Sequence, residues 1–115
     1  MLFALSTDDR SLMVFPSSDA AIAYCEGIDV ADGGWRFWGA SGEPLEAVFS
    51  TPASQGKFFV SSGVYTLAPS SATEALSLRE SLAGIRHLEP NPFFADVASL
   101  QLHISERGPV KHHGA

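Results

Sequence analysis

Acidic side chains crowd one short part of this chain and are the first candidates for chemistry. Between residues 26 and 46 the sequence holds five carboxylates and a single basic residue, Arg36. The five are Glu26, Asp29, Asp32, Glu43 and Glu46. Paired carboxylates can serve as general acid and base when burial moves their pKa values apart. No hydrophobic pocket is evident around them, so solvated surface charge is the favoured interpretation.

Two tryptophans lie inside the same stretch, in the run W-R-F-W. In a strand, Trp35 and Phe37 share one face, while Arg36 and Trp38 share the other. Trp35 and Phe37 are the better core candidates. Trp38 has two interpretations: it is buried beneath helices, or it is partly exposed beside Arg36. Because Trp and Arg are enriched at binding hot spots, the second interpretation adds both residues to the five carboxylates as a candidate partner-binding surface.

The remaining reactive residues do not form a catalytic or metal-binding pattern. Cys25 is the only cysteine, so neither an intramolecular disulfide nor a cysteine-based zinc cage can form. Its neighbours Tyr24 and Glu26 are not basic, so nothing beside it stabilises a thiolate, and we expect a buried core residue. The four histidines lack the H-x-x-x-H spacing of a helical metal site. We therefore predict no metal, no cofactor and no enzymatic activity.

The apolar patterns predict the elements that position these residues. An N-terminal hairpin is followed by a short helix that begins near Ser17 or Ser18 and ends before Gly27. Alternating runs predict strands over 35–38, 44–50, 57–61 and 64–68. Ser77 and Glu80 match a capping box, and a second late helix is predicted to begin with Asn91 as N-cap and Pro92 at N1.

These elements together predict an α+β fold. We expect an antiparallel sheet of about five to six strands, a helix after the N-terminal hairpin, and two C-terminal helices packed on one face. The other face of the sheet is expected to be partly exposed. Residues 1–108 form the predicted single domain, and 109–115 form a flexible tail. In this arrangement the 30–34 loop and the 39–43 turn lie at opposite ends of a hairpin, which would spread the carboxylates along an edge.

Composition narrows the function classes. The chain has 115 residues and a formal net charge of −6, with seven Lys and Arg in total. A nucleic-acid binder needs basic surface to displace counterions from phosphates, so this class is disfavoured. No apolar run reaches the roughly 20 residues of a membrane span, and no export signal precedes the first run. The expectation is a cytoplasmic protein without a membrane partner.

A family resemblance accompanies these patterns. The run AIAYCEGIDVADGGWRFWGASGEPLEAVF, followed by GKFFVSSGVYTL and HLEPNPFFADVASL, resembles a group of small bacterial proteins over residues 20–104. That group includes proteins assigned as immunity proteins of interbacterial toxin systems. The resemblance implies a cytoplasmic protein that binds and blocks one cognate toxin. It carries no defined inhibitory motif, so no functional residue is transferred from it.

Three functions therefore stand as hypotheses. The first is a non-enzymatic binding protein, an immunity protein that occludes a cognate toxin or another basic protein. The alternative is a small enzyme or ligand-binding domain with a pocket between sheet and helices, to which Phe58, Phe59 and Tyr65 could contribute. The third is a structural subunit of a larger complex. The sequence does not indicate an oligomeric state.

Overall fold

The structure is a computed structural model, and it describes residues 1–55, 60–61 and 63–107. Its strands are β1 (Leu2–Ser6), β2 (Ser11–Phe15), β3 (Trp35–Trp38), β4 (Pro44–Thr51), β5 (Ser54–Gln55), β6 (Val60–Ser61), β7 (Val64–Pro69) and β8 (His87–Leu88). Its helices are α1 (Ser18–Tyr24), α2 (Gly27–Ala31), α3 (Leu78–Ser81), which a 3-10 turn extends over Leu82–Gly84, and α4 (Val97–Arg107).

Six of the strands form one sheet in the order β7-β4-β3-β1-β2-β8, which confirms the predicted α+β fold. Every pairing in it is antiparallel except that of β2 with β8. The predicted N-terminal hairpin supplies β1 and β2, and β1 lies between β2 and β3. Strands β5 and β6 pair separately as a two-stranded sheet. The predicted tail, 109–115, and residues 57–59 of the predicted 57–61 strand lie outside the described residues.

Helices α3 and α4 cover one face of the sheet, as predicted. The buried cluster on this face combines side chains of the first three strands with side chains of α3, α4 and the segment before α4. Its members are Phe3, Leu5, Leu12, Val14, Trp38, Leu78, Phe94, Leu100 and Ile104. Because side chains alternate along a strand, Phe3 and Leu5 of β1 point into this cluster while Leu2 and Ala4 point away from it.

Helix α1 covers the opposite face of the sheet over β1, β2 and β3. The predicted exposure of this face therefore does not extend to these three strands. Its buried cluster consists of Leu2, Ala4, Phe15, Ala21, Cys25 and Phe37. Val30 of α2 and Trp35 of β3 pack against this cluster while remaining partly exposed. The central strands therefore lie between two helical layers, which is why residues of both parities are buried in β1.

Two local predictions were wrong. Gly27 does not end a helix: it is the first residue of α2. The last helix does not begin at Asn91, because the Asn91 side chain accepts from the N–H groups of Phe93 and Phe94 in a turn before it. Asp96 is hydrogen-bonded to Ser99 at the start of α4 instead. The capping box of Ser77 and Glu80 is confirmed, although α3 is a single turn.

The ladder between β3 and β4 is short, and a gap in the sheet lies beyond it. Only Phe37 with Leu45 and Trp38 with Pro44 are paired. Strand β4 continues to Thr51 and stays paired with β7 along that length, apart from a bulge between Phe49 and Thr51. The two strands therefore diverge beyond Leu45 and leave a fork in the sheet.

Candidate functional site

Two of the predicted carboxylates, Asp29 and Asp32, line one cleft together with Asp8. The cleft has a volume of about 440 Å³, and its walls come from the end of β1, from α2 and from the loop that leads into β3. We call it the acidic cleft; its residues are Ser6, Thr7, Asp8, Asp29, Asp32, Gly33, Gly34 and Trp35. All three carboxylate residues are exposed. The prediction that the acidic groups only spread along an edge is therefore wrong for Asp29 and Asp32.

The loop that carries this cleft is held by main-chain hydrogen bonds. The Gly34 N–H donates to the Asp29 carbonyl at 2.8 Å, and the Thr7 N–H donates to the Gly34 carbonyl at 3.0 Å. The Thr7 hydroxyl also donates to the Gly33 carbonyl at 2.9 Å. Gly33 has a φ of 81°, a conformation that side chains with a Cβ adopt only at a cost. The glycine pair thus lets the chain turn from α2 into β3 while it stays attached to β1.

An aromatic pair flanks the acidic cleft. Trp35 is half-buried, and its ring contacts Tyr24 edge-on, with centroids 6.1 Å apart and planes at 84°. Tyr24 is 58% exposed, which is unusual for an aromatic residue. Aromatic faces beside carboxylates suit the side chains of Lys and Arg, which combine a positive head with an apolar stem. This surface is therefore suited to a cationic group presented by a partner.

The carboxylates of this surface form no ion pair within the described residues. The single ion pair found among those residues joins His87 to Glu89 at 3.6 Å. Arg36 lies in the neighbouring strand, yet it forms no ion pair with Asp8, Asp29 or Asp32 in the described part of the chain. The negative field of the cleft therefore extends into solvent.

The other three predicted carboxylates lie outside the cleft. Glu26 is exposed at the junction of α1 and α2. Glu43 is half-buried, and its side chain accepts from the Ser41 N–H at 3.0 Å, which fixes the turn between β3 and β4. Glu46 is half-buried on β4, where it accepts from the Ser71 N–H at 3.3 Å. Glu43 therefore has a local structural role, whereas Glu46 borders the fork between β3 and β4.

Trp38 belongs to the core, so the interpretation of it as a partly exposed partner contact is wrong. Its side chain is 2% exposed and packs in the cluster beneath α3 and α4. Its indole N–H donates to the Leu76 carbonyl at 2.9 Å. Of the two alternatives that the sequence left open, burial beneath helices is the one found. Arg36, on the same face, is exposed, as the second interpretation had it.

The fork forms a second cleft, of about 490 Å³, directly beside the acidic one. Trp35 lines both clefts. Val30 and Ala31 of α2 close the fork on one face of the sheet, and Ala75 and Leu76 border it on the other. No pattern in the sequence indicated this feature, since strands over 35–38 and 44–50 are compatible with a full ladder.

Cys25 and Tyr65 form a buried pair rather than a reactive site. The Tyr65 hydroxyl donates to the Cys25 carbonyl at 2.6 Å. Burial, with a smaller contribution from the charge of Asp29, raises the pKa of the Cys25 thiol to about 12. Burial likewise raises the pKa of Tyr65 to about 12. A thiol that stays protonated at neutral pH is a poor nucleophile, so the prediction of a core cysteine is confirmed.

Among residues 1–55, 60–61 and 63–107, no group of three or more His, Cys, Asp or Glu side chains converges on a common point that could hold a metal ion. In that same part of the chain, no helix has the length and apolar character needed to cross a membrane. Phe58 and Phe59, suggested as pocket residues, lie outside it, and Tyr65 does not line the fork.

Comparison with known proteins did not add to this description. No protein-family model, no curated protein and no solved structure shows a significant match to the chain. The fold and the two clefts therefore define the molecule at the level of an α+β protein with an acidic, aromatic surface on one side of its sheet.

Proposed function

We propose that this protein is a non-enzymatic binding protein whose partner is a basic protein, and that it acts as an immunity protein by occluding a cognate toxin. The observation that carries the proposal is the acidic cleft with its aromatic flank. Three exposed carboxylates and two partly or largely exposed aromatic rings lie together, and the carboxylates form no ion pair within the described residues. A net charge of −6 adds a long-range field of the same sign.

The two parts of this surface have different roles in binding. Charges at the rim of an interface accelerate association, and salt screens that gain over a Debye length of about 10 Å at 0.1 M. Close, desolvated contacts such as those of Trp35 and Tyr24 mainly slow dissociation. Toxins that act on nucleic acids need basic surface of their own, so an acidic inhibitor complements them.

The test begins with affinity capture of the partner from the source cells by the tagged protein. The captured partner is expected to be basic, to be toxic when expressed alone, and to lose its toxicity when this protein is co-expressed. A captured partner whose toxicity is unaffected by co-expression contradicts the immunity role. An acidic partner contradicts the electrostatic part of the proposal.

Association rates measured against salt concentration then locate the surface. The double variant Asp29→Asn with Asp32→Asn should give a shallower salt slope than the wild type. Asp19→Asn with Glu74→Gln is the matched control, since it removes the same charge from residues that do not line the acidic cleft. The control is expected to retain more of the wild-type slope. Equal slopes for the two double variants would show that only net charge matters and would remove the cleft from the interface.

The alternative, a ligand-binding domain, is favoured by one observation. The fork cleft of about 490 Å³ falls in the size range of small-molecule sites and has mainly apolar walls. It lies between the sheet and α2, where the alternative placed a pocket. Saturable binding of a small metabolite from the source cells, abolished by filling the fork with Ala47→Phe, would favour this function.

A further inference from the structure

The fork between β3 and β4 exposes main-chain groups as well as side chains. The Gly39 N–H donates to the Glu43 carbonyl at 2.9 Å. Residues two apart on a strand direct their main-chain groups to the same side, so Phe37 and Trp35 also face β4. The ladder stops at Phe37 and Leu45, and therefore Trp35 has no partner on β4.

The same alternation applies to β4. The Ser70 N–H donates to the Pro44 carbonyl at 3.0 Å, so Pro44 faces β7, and Glu46 and Val48 face it too. Ala47 and Phe49 then direct their N–H and C=O groups to the other side, into the fork. No described strand pairs with β4 there. From Glu46 to Phe49 the sheet thus has an open edge of four residues, about 14 Å long at 3.4 Å per residue.

We infer that this open edge of β4 binds an extended, basic segment of a protein partner by strand addition. Main-chain hydrogen bonds to Ala47 and Phe49 would provide the attachment, as in other cases where a peptide extends a sheet. The inference rests on the proposed function for the basic character of the partner and goes beyond it by naming the mode of binding.

The side chains around the fork specify the pattern of the incoming segment. Val30 and Ala31 lie on one face of the fork and would contact apolar side chains. Glu46 and Arg36 lie on the other face, where Glu46 would contact a basic side chain. Side chains of an extended segment alternate between the two faces, so an alternating apolar and basic sequence fits both. The acidic cleft, which shares Trp35 with the fork, would receive a basic residue at the end of the segment.

Edge strands of natural proteins are commonly protected by charges, prolines or bulges. Strand β4 carries a bulge between Phe49 and Thr51, beyond the open edge, and Pro44 lies before it. Between these two points the edge has neither a proline nor a bulge, its one charged residue is Glu46, and Val48 is 47% exposed. The edge is therefore only weakly protected against pairing with another chain.

Amide hydrogen exchange of the full chain, followed by NMR, tests the geometry first. In the free protein the amides of Ala47 and Phe49 should exchange faster than that of Val48, which faces β7. Strong protection of Ala47 and Phe49 in the free protein would mean that the edge is already covered and would overturn the inference.

The probe is an acetylated and amidated octapeptide of alternating Val and Lys. Its addition should slow exchange at Ala47 and Phe49 by about tenfold at saturation and leave Val48 unchanged. An octapeptide of alternating Val and Glu tests charge, and a Val-Lys peptide methylated at every second amide nitrogen tests the main-chain bonds. Both should bind more weakly. Absence of binding of the Val-Lys peptide up to about 1 mM overturns the inference. So does binding that leaves both amides unaffected, or equal binding of the methylated peptide.

A matched pair of variants adds a second readout. Glu46→Gln should weaken binding of the Val-Lys peptide by about two- to fivefold, the range of a partly exposed ion pair. Glu74→Gln is the control, because Glu74 is exposed and lies outside the fork. Equal affinities for the two variants would contradict the role of Glu46.

Failure of this inference can be separated from failure of the proposed function. If a captured basic partner associates through the acidic cleft but does not protect Ala47 and Phe49, strand addition is refuted and the proposed function stands. If capture yields no basic partner, the proposed function fails, and the peptide experiment still decides whether the edge binds extended chains.

Discussion

Replacing the two tryptophans separately tests the assignment of one to the core and the other to the surface. Trp38 is 2% exposed, so Trp38→Ala removes a fully packed side chain, at a cost of about 3–5 kcal/mol. It also leaves the Leu76 carbonyl without its indole donor, which adds about 1 kcal/mol. Since domains of this size are stable by about 5–15 kcal/mol, this variant should be near the limit of folding.

Trp35→Ala is expected to cost much less. Trp35 is half-buried and keeps one edge contact with Tyr24, which corresponds to about 1–2 kcal/mol. Urea unfolding followed by far-ultraviolet circular dichroism measures both free energies, and similar slopes against urea would show that the same transition is compared. Trp38→Phe separates the two terms for Trp38, because it retains an aromatic ring and removes the N–H donor.

For partner binding, the order of the two tryptophans is reversed: the substitution of Trp35 should have the larger effect. Trp35→Ala should speed dissociation of the basic partner, because Trp35 lines both the acidic cleft and the fork. Trp38→Phe should leave dissociation nearly unchanged, since its ring lies beneath α3 and α4. If Trp35→Ala destabilises the fold as much as Trp38→Ala does, the placement of the two side chains is wrong. If partner binding responds to Trp38→Phe and not to Trp35→Ala, the proposed surface is wrong.

Two further predictions concern the buried pair. Cys25 should not react with a thiol reagent at pH 8 until the protein unfolds. Because burial raises the pKa of its thiol from 9.0 to about 12, the contribution of Cys25 to the free energy of unfolding should be constant below pH 9 and should fall as the pH rises from 9 toward 12, which urea titrations over that pH range would measure. Tyr65→Phe should cost about 1–3 kcal/mol, since the buried Cys25 carbonyl loses its donor, whereas Cys25→Ala keeps that carbonyl; a negligible cost for Tyr65→Phe would contradict the hydrogen bond.

Local patterns in the sequence predicted most of the elements and their order, but not α2 or β8. The two alternating runs at the N-terminus predicted a hairpin, and β1 and β2 pair from Leu2 with Phe15 to Ser6 with Ser11. The spacing of Ser77 and Glu80 predicted a capping box that the structure contains. Predictions from such features are reliable because they depend on residues only a few positions apart, whose local geometry is the same in any fold.

Alternation also showed correctly which residues share a face of β3. It could not show which face would be buried more deeply, because that depends on the helices that pack there. Trp38 lies in the core because α3 and α4 cover its face near the end of β3, whereas Trp35 lies at the start of the strand, where the cover of α1 and α2 is incomplete. Burial of a strand residue is a property of the layers above and below it.

The two clefts likewise depend on distant parts of the chain. Asp8 joins Asp29 and Asp32 only because Thr7, at the end of β1, is bonded to the loop before β3. The fork exists because β4 follows β7 rather than β3 beyond Leu45. The sequence determined that β3 and β4 are strands with a turn between them. Strand β4 faces β3 through one set of main-chain groups and β7 through the other, so the length of the β3–β4 ladder depends on how far the paths of these strands run together, and those paths are set only when the whole sheet is assembled.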